Sequence, residues 1–419
     1  MTKGFIGFII ISILCIGTKA SAQATVKSDT NIIKQHVKIL ASPAMQGRGT
    51  GQKGEKKASA YITKQAKQLK LKPKGDKKFL QPFSFELKLP NAENPHGEMI
   101  SKGLLKGNNV IAYLDNAAEY TIVIGAHYDH LGLGNLGSSR EANPDGKIHH
   151  GADDNASGVA GALELARMLQ DNGKIEFHNY LFVFFSGEEQ GLVGSKYFAN
   201  SPGIELDKVN YMINLDMVGR MNPYTKKLVV HGVGTSPEFG ETLNKNNASL
   251  LALNFDSSGT GPSDFTSFYL KNIPVLGFFS GQHEDYHKSS DLPELLNYKG
   301  QAEIIEFIYR IILDLDDKPK LEFTKTKDKQ EGRMKFKVSL GIMPDYTFSG
   351  VGLRVDGVSS DKPAEKAGIL SGDIIVYLHN REIRTIQDYM SVLGELDKGI
   401  KTKVKVKRGE IDLDLEIQF

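Results

Sequence analysis

The sequence predicts an α/β fold: a mainly parallel (mixed) central sheet with helices on both faces, plus a small C-terminal β-rich domain. Three observations predict it. Five short apolar runs fall between residues 120 and 280. Amphipathic helical patterns lie between and around them. After residue 333 the pattern changes to short strands separated by turns. Apolar strands alternating with helices imply a sheet covered on both faces.

Taken in order, the first element is a leader. Lys3 supplies a positive start, GFIGFIIISILCIG an apolar stretch, and Ala20-Ser21-Ala22 a small-residue cleavage site. Residues 1–22 therefore read as a secretory signal peptide. The apolar run is shorter than the ~20 residues a membrane span needs. A mature chain without a transmembrane span is expected, secreted or periplasmic after cleavage near Ala22. Cys15 is the single cysteine of the 419 residues, and cleavage removes it. The mature chain then has no disulfide and no thiolate to act as nucleophile or metal ligand. Losing Lys3 and Lys19 takes the formal charge from +2 to zero. That balance argues against nucleic acid as a partner.

Residues 23–316 read as one domain. Ile32, Ile33, His36, Val37 and Leu40 recur at helical spacing, and a second helical pattern runs from Ala58 to Leu69. Between them, PAMQGRGTGQKG is a glycine-rich loop whose GRGTG (47–51) reads as a structural turn. A strand is expected at 109–114. The five apolar runs follow: YTIVIGA (120–126), NYLFVFFS (179–186), VNYMINLDM (209–217), KLVVHG (227–232) and PVLGFFS (274–280). Val159, Leu163, Ala166 and Leu169 mark one intervening helix; Ile304, Ile308, Ile311 and Leu315 mark another. Residues 317–333 are charged and read as a linker, and residues 334–419 as a separate β-rich domain.

Chemistry gathers where the strands end. In open parallel sheets, ligands bind outside the carboxyl ends of the strands. His127, Tyr128, Asp129 and His130 follow the first run, and Glu188 and Glu189 the second. Asp216 ends the third. Asp153 and Asp154 precede a helix, and the loop after residue 280 supplies His283, Asp285, Tyr286, His287 and Asp291. One such acid is ordinarily a helix cap or a solvated side chain. Repetition at successive strand ends is different, because so many acids on one rim repel each other unless cations sit among them. With no thiolate available, imidazole and carboxylate ligands suit zinc, with manganese or cobalt as substitutes. The charge balance suggests two ions: their four positive charges match three ligand carboxylates and one hydroxide, leaving a carboxylate free to move protons.

The motifs AHYDH, GADDNASG, SGEEQGL, NLDMVGR and DYHKSSD, in this order, resemble the M28 family of co-catalytic zinc aminopeptidases. The resemblance covers roughly residues 28–316 and implies two Zn2+ per chain and peptide substrates with a free N-terminus. It implies that Asp154 bridges both ions, that His127 and Asp216 complete one set, and that Glu189 and His287 complete the other. It implies that Asp129 orients His127 through the second ring nitrogen, and that Glu188 is the general base. Tyr286 matches a position that can donate to a tetrahedral oxyanion. The protease-associated insertion common in that family is missing.

Two rival readings share the motifs. A glutaminyl cyclase has the same fold but typically one zinc and tryptophans around its substrate, whereas this chain has no Trp. A non-catalytic binding protein would be expected to lose ligands or the base, and all are present. GLGNLG (132–137) matches G-x-G-x-x-G, but polar, turn-rich sequence follows where a dinucleotide site needs a helix. A loop at the mouth of the site is expected instead. His149 and His150 read as loop histidines. Asp264 reads as a helix cap or a pocket residue.

SLGIM, GVGLRVDGV, KPAEKAGILSGDIIVYLHNREI and IQDYMSVL, within 334–419, resemble a PDZ domain. The resemblance implies that the end of a C-terminal peptide adds as a strand, with Leu340, Gly341 and Ile342 forming the carboxylate loop. A purely structural module is the alternative.

Overall fold

The computed structural model describes residues 26–89, 100–326, 336–344, 351–358, 362–384 and 386–419. The expected signal peptide, with Cys15, and residues 327–333 of the expected linker lie outside these. Asp29 accepts a hydrogen bond from the Asn31 amide and so starts α1 (Thr30–Leu40), whose Ile33, Val37 and Leu40 are buried along one face. Then come α2 (Lys53–Gln68), β1 (Lys72–Pro73), β2 (Leu80–Leu89), β3 (Ile100–Leu114) and β4 (Tyr120–His127). The chain continues through α3 (Gly158–Asp171), β5 (His178–Phe185), α4 (Val193–Asn200), β6 (Val209–Leu215) and β7 (Lys227–His231). It closes the domain with α5 (Glu238–Asn246), β8 (Ala252–Phe255), α6 (Phe265–Tyr269), β9 (Val275–Phe279) and α7 (Tyr298–Asp314).

Among the described residues, nine strands form one sheet in the order β1-β3-β5-β4-β6-β9-β7-β8, with β2 paired to β3. The four central strands β5, β4, β6 and β9 are parallel. Antiparallel pairing enters at the flanks, where β3 meets β5 and β7 meets β9. Strand β3 begins at Ile100, ahead of the expected 109–114, and pairs with β2 as a long antiparallel arm.

Strand alternation builds two cores. Ile122 and Ile124 of β4, Phe182 and Phe184 of β5, and Ile213 and Leu215 of β6 point to the face carrying α1, α3 and α7. Val123, Leu181, Val183 and Met212 point to the other, packed with Phe198 of α4 and Phe268 of α6. Side chains alternate across a strand with period two, so each run is apolar on both faces and both are covered. Strands β4 and β6 are neighbours whose connections leave in opposite directions across the sheet, β4 leading to β5 and β6 toward β9. Such a switch point opens a crevice at the carboxyl ends of the strands.

Residues 320–326 do not run free. Leu321 is buried, its amide donates to Asn210 Oδ1 at 2.7 Å, and the Thr324 amide donates to the Thr235 carbonyl at 2.8 Å.

The C-terminal region has its own core and its own sheet. Its elements are β10 (Ile342–Pro344), β11 (Leu353–Val358), α8 (Pro363–Lys366), β12 (Ile374–Leu378), β13 (Arg381–Glu382), α9 (Ile386–Glu395), β14 (Lys401–Arg408) and β15 (Ile411–Gln418). The sheet order is β10-β11-β12-β14-β15, which leaves β10 at an edge. Leu340, Ile375, Val392 and Val404 lie in its core.

Candidate metal centre

Each expected ligand sits at the carboxyl edge of the sheet. His127 is the last residue of β4, Asp216 follows β6 directly, and Glu189 lies in the turn after β5. Asp154 comes from the turn 151–157 before α3, where the Asp154–Asn155 peptide is cis. His287 comes from the loop after β9.

The distances form two overlapping sets. His127 Nε2 is 3.3 Å from Asp154 Oδ1 and 3.2 Å from Asp216 Oδ1. His287 Nε2 is 3.3 Å from Asp154 Oδ2 and 3.1 Å from Glu189 Oε2. Ligands about 2.0–2.1 Å from a tetrahedral zinc are separated by about 3.3 Å. The donor chemistry and the spacing therefore fit zinc, with one Asp154 oxygen in each set.

The imidazoles are set for this. A metal-bound histidine ordinarily donates its other ring N–H to a fixed acceptor. His287 Nδ1 donates to the Ser138 carbonyl at 2.7 Å, and His127 Nδ1 to the Asp129 carbonyl at 3.3 Å. Each leaves Nε2 toward the carboxylates. The resemblance implies that Asp129 orients His127 through Nδ1, but no hydrogen bond joins the Asp129 carboxylate to that nitrogen. The carboxylate stands 3.8 Å from Nδ1, because Thr50 Oγ1 at 3.1 Å and the Glu188 amide at 3.2 Å hold it. It thus fixes the turn that carries Glu188 and Glu189.

The electrostatics call for positive charge. Burial opposes a charged His127, yet Asp216 and Glu188 push its pKa well above the usual value. Burial likewise opposes a charged His287, yet Glu189 and Asp154 push it up to about 10. Burial, opposed by His127 and reinforced by Asp216 and Asp264, raises Glu188 well above the carboxylate range.

Supporting groups come from far along the chain. Asp291 Oδ2 accepts from the Asp153 amide at 2.9 Å and the Asp154 amide at 3.1 Å. Arg48 is fully buried and donates to the carbonyls of Tyr128, Leu40, His150 and Gly151 at 2.7–2.8 Å and of Asp154 at 3.4 Å. Gly151 has φ +55, and a Cβ there would meet the Asp154 carbonyl at 2.1 Å and the His130 ring at 2.5 Å. Ser263 Oγ donates to Asp216 Oδ2 at 2.6 Å and accepts from Asn214 Nδ2 at 2.8 Å. His130 is fully buried with Nδ1 2.7 Å from Glu189 Oε1. The sequence reading missed the parts played by Arg48, Ser263, Ser138 and His130; only the motif AHYDH hinted at the last.

Other candidates fall outside the donor sets. His283 faces Asp153 at 3.3 Å, and Asp285 pairs with Arg220 at 3.1 Å. His149 is held by Ser139, and His150 by the Ala41 carbonyl. No helix follows residues 132–137, as a dinucleotide site would require. Asp264 precedes α6 but makes no side-chain cap; burial raises its pKa to about 7.

Beside Asp216 opens a cavity of ≈ 110 Å³. Met217, Pro262, Phe265 and Phe279 give it apolar walls, and His231, Gln282 and Tyr286 add polar groups. The Tyr286 ring stacks on His287, with centroids 3.8 Å apart. Burial, followed by the Asp154 and Glu189 carboxylates, raises its hydroxyl pKa far above the usual value, so it remains a donor.

A parallel-centred α/β sheet thus carries two histidine–carboxylate sets at its switch point. Residues 109–312 match the model of peptidase family M28, and residues 321–419 match the PDZ domain. It is 34% identical over 142 residues to leupeptin-inactivating enzyme 1 of Streptomyces exfoliatus, covering 33% of this chain and 31% of that protein. It is 29% identical over 188 residues to leucine aminopeptidase 2 of Trichophyton rubrum, covering 41% and 36% of the two chains. The chain thus spans about a third of these curated relatives. Among solved structures, it resembles a zinc aminopeptidase from Bacillus subtilis with TM-score 0.54 and 16% identity, over 71% of this chain and 97% of that one. It also resembles the glutaminyl cyclase of Porphyromonas gingivalis with TM-score 0.52 and 16% identity, over 69% and 99%. Likeness at such identity shows the fold alone.

Proposed function

We propose that the protein is an exported zinc aminopeptidase that releases N-terminal residues from peptides using two ions. The observation that carries this reading is Asp154, which offers one oxygen to each donor set, with Glu188 near enough to His127 to raise its pKa. His127, Asp154 and Asp216 would hold one ion; His287, Asp154 and Glu189 the other. Held there, the ions would acidify water and polarise the scissile carbonyl. Glu188 takes the proton from the attacking water and delivers it to the leaving amine. Tyr286 donates its hydroxyl proton as a hydrogen bond to the oxygen on which charge develops. The cavity beside Asp216 receives an apolar first side chain. Residues 1–22 serve as the export signal.

The test is Glu188→Gln on purified chain, with Asp154→Asn beside it. Elemental analysis should find both ions in the Glu188 variant, while turnover of aminoacyl substrates drops about 10²–10⁴-fold. Near-normal turnover would remove Glu188 from the mechanism. The Asp154 variant should lose metal itself. Peptides beginning with Gln separate the cyclase reading, since pyroglutamate rather than released Gln would mark a cyclase.

We further propose that the PDZ domain takes a peptide's C-terminal end along β10, an edge strand. Gly341 has φ +81, and its amide donates to Ser339 Oγ at 3.2 Å; Leu340 is a core residue, so its contribution would be backbone only.

A further inference from the structure

We infer that His130 is a positioning residue that holds one oxygen of Glu189 away from the metal, so that the other alone binds it. The inference rests on the two-ion reading. Three observations sort His130 from the ligand histidines.

The first is distance. The pairs that would share an ion stand 3.1–3.3 Å apart, whereas His130, which also clusters with Asp154 and Glu189, has Nδ1 3.7 Å from Asp154 Oδ2. His130 Nδ1 is only 2.7 Å from Glu189 Oε1. That is a hydrogen bond, and too short for two ligands about 3.3 Å apart around tetrahedral zinc. The second is which oxygen is used. Glu189 turns Oε1 to His130 and Oε2 to His287, so the carboxylate is divided between a donor and the metal position. The third is the far side of the ring. His127 and His287 each donate Nδ1–H to a carbonyl and free Nε2. His130 Nε2 has no partner in its buried site. Were Nδ1 a ligand, Nε2 would carry a buried N–H with nothing to receive it. With the proton on Nδ1, only a lone pair is left unpaired, the cheaper arrangement.

The role complements Ser263, which occupies Oδ2 of Asp216 and leaves Oδ1 for the other set. Each terminal carboxylate therefore has one oxygen taken by a protein donor. Groups that orient ligands in this way are typically worth about 10–100-fold in metal affinity.

The test measures zinc binding by chelator competition on the full chain, without reference to turnover. His130→Ala and His130→Asn are compared with the unaltered chain. Asn can donate from nearly the position of Nδ1 and is a poor zinc ligand. His130→Ala should bind one ion as before and the other about 10–100-fold more weakly. His130→Asn should recover most of that loss. Equal loss in both variants would make His130 a ligand and overturn the inference. Unchanged affinity in His130→Ala would overturn it while leaving two ions in place. A chain that takes up fewer than two ions would overturn the two-ion reading and this inference together. If His130→Ala fails to fold by circular dichroism, His130→Asn against His130→Gln decides. The Gln amide falls nearer Nε2, so equal affinity of those two would also overturn it.

Discussion

Arg48 donates to five carbonyl oxygens: that of Leu40 at the end of α1, that of Tyr128 after β4, and those of His150, Gly151 and Asp154 ahead of α3. Its burial lowers its pKa to about 10, against the pull of Asp154, Asp291, Asp129 and Glu189. The guanidinium therefore does two things, closing backbone hydrogen bonds and offsetting clustered acid. Removing it strands several buried acceptors, and each hydrogen bond to a charged group is worth about 1.5–3 kcal/mol. Arg48→Met should lose at least about 3 kcal/mol in chemical denaturation. Arg48→Lys should recover only part, because an ammonium cannot span the fork. A Met variant with unchanged stability would reduce Arg48 to a bystander. The sequence displayed His127, Glu189 and Asp216 because each closely follows an apolar run, and Asp154 and His287 through the motifs GADDNASG and DYHKSSD. It hid Arg48, Ser138, Ser263 and the true partners of Asp129 because their contacts join distant segments and follow no period. Asp129 shows the limit well: its motif pointed at His127, while Thr50 and the Glu188 amide decide where its carboxylate goes.

Among the elements, strands β4, β5, β6, β7 and β9 were legible to within two residues, because runs apolar on both faces have few other homes. The β2–β3 arm was not, since it mixes polar and apolar residues over a long pairing. Residues 320–326 were also misjudged in character. Charge around Leu321 and Phe323 made the stretch read as linker, yet Phe323 packs on Tyr269 with ring centroids 5.5 Å apart, and Ser236 Oγ donates to the Glu322 carbonyl at 2.8 Å. A chain ending after Thr326 should melt close to the peptidase domain of the full protein. One ending after Asp316 should be less stable by about 2–4 kcal/mol, from one buried leucine and its neighbouring hydrogen bonds. Equal melting of the two would show that the segment merely lies on the surface.

At the scale of the whole molecule, the described residues form two sheets with separate cores. Metal binding and peptide capture should therefore separate. A library of fluorescent peptides with free C-termini should include saturable binders of the full chain. The chain ending after Thr326 should bind none of those peptides while taking up zinc as before. Peptides that bind both chains equally would place recognition in the peptidase domain. Among the described residues, no helix is long and apolar enough to cross a membrane.

The loop that carries His287 is tied to a second loop at His287 and Ser289. Ser138 receives the His287 ring N–H, the Arg140 amide donates to the His287 carbonyl, and Glu141 accepts from the Ser289 amide. The two stretches consequently behave as a single cassette. Anyone grafting residues 281–291 onto another scaffold would have to carry residues 137–141 along, or the transplanted imidazole would arrive without its bearing.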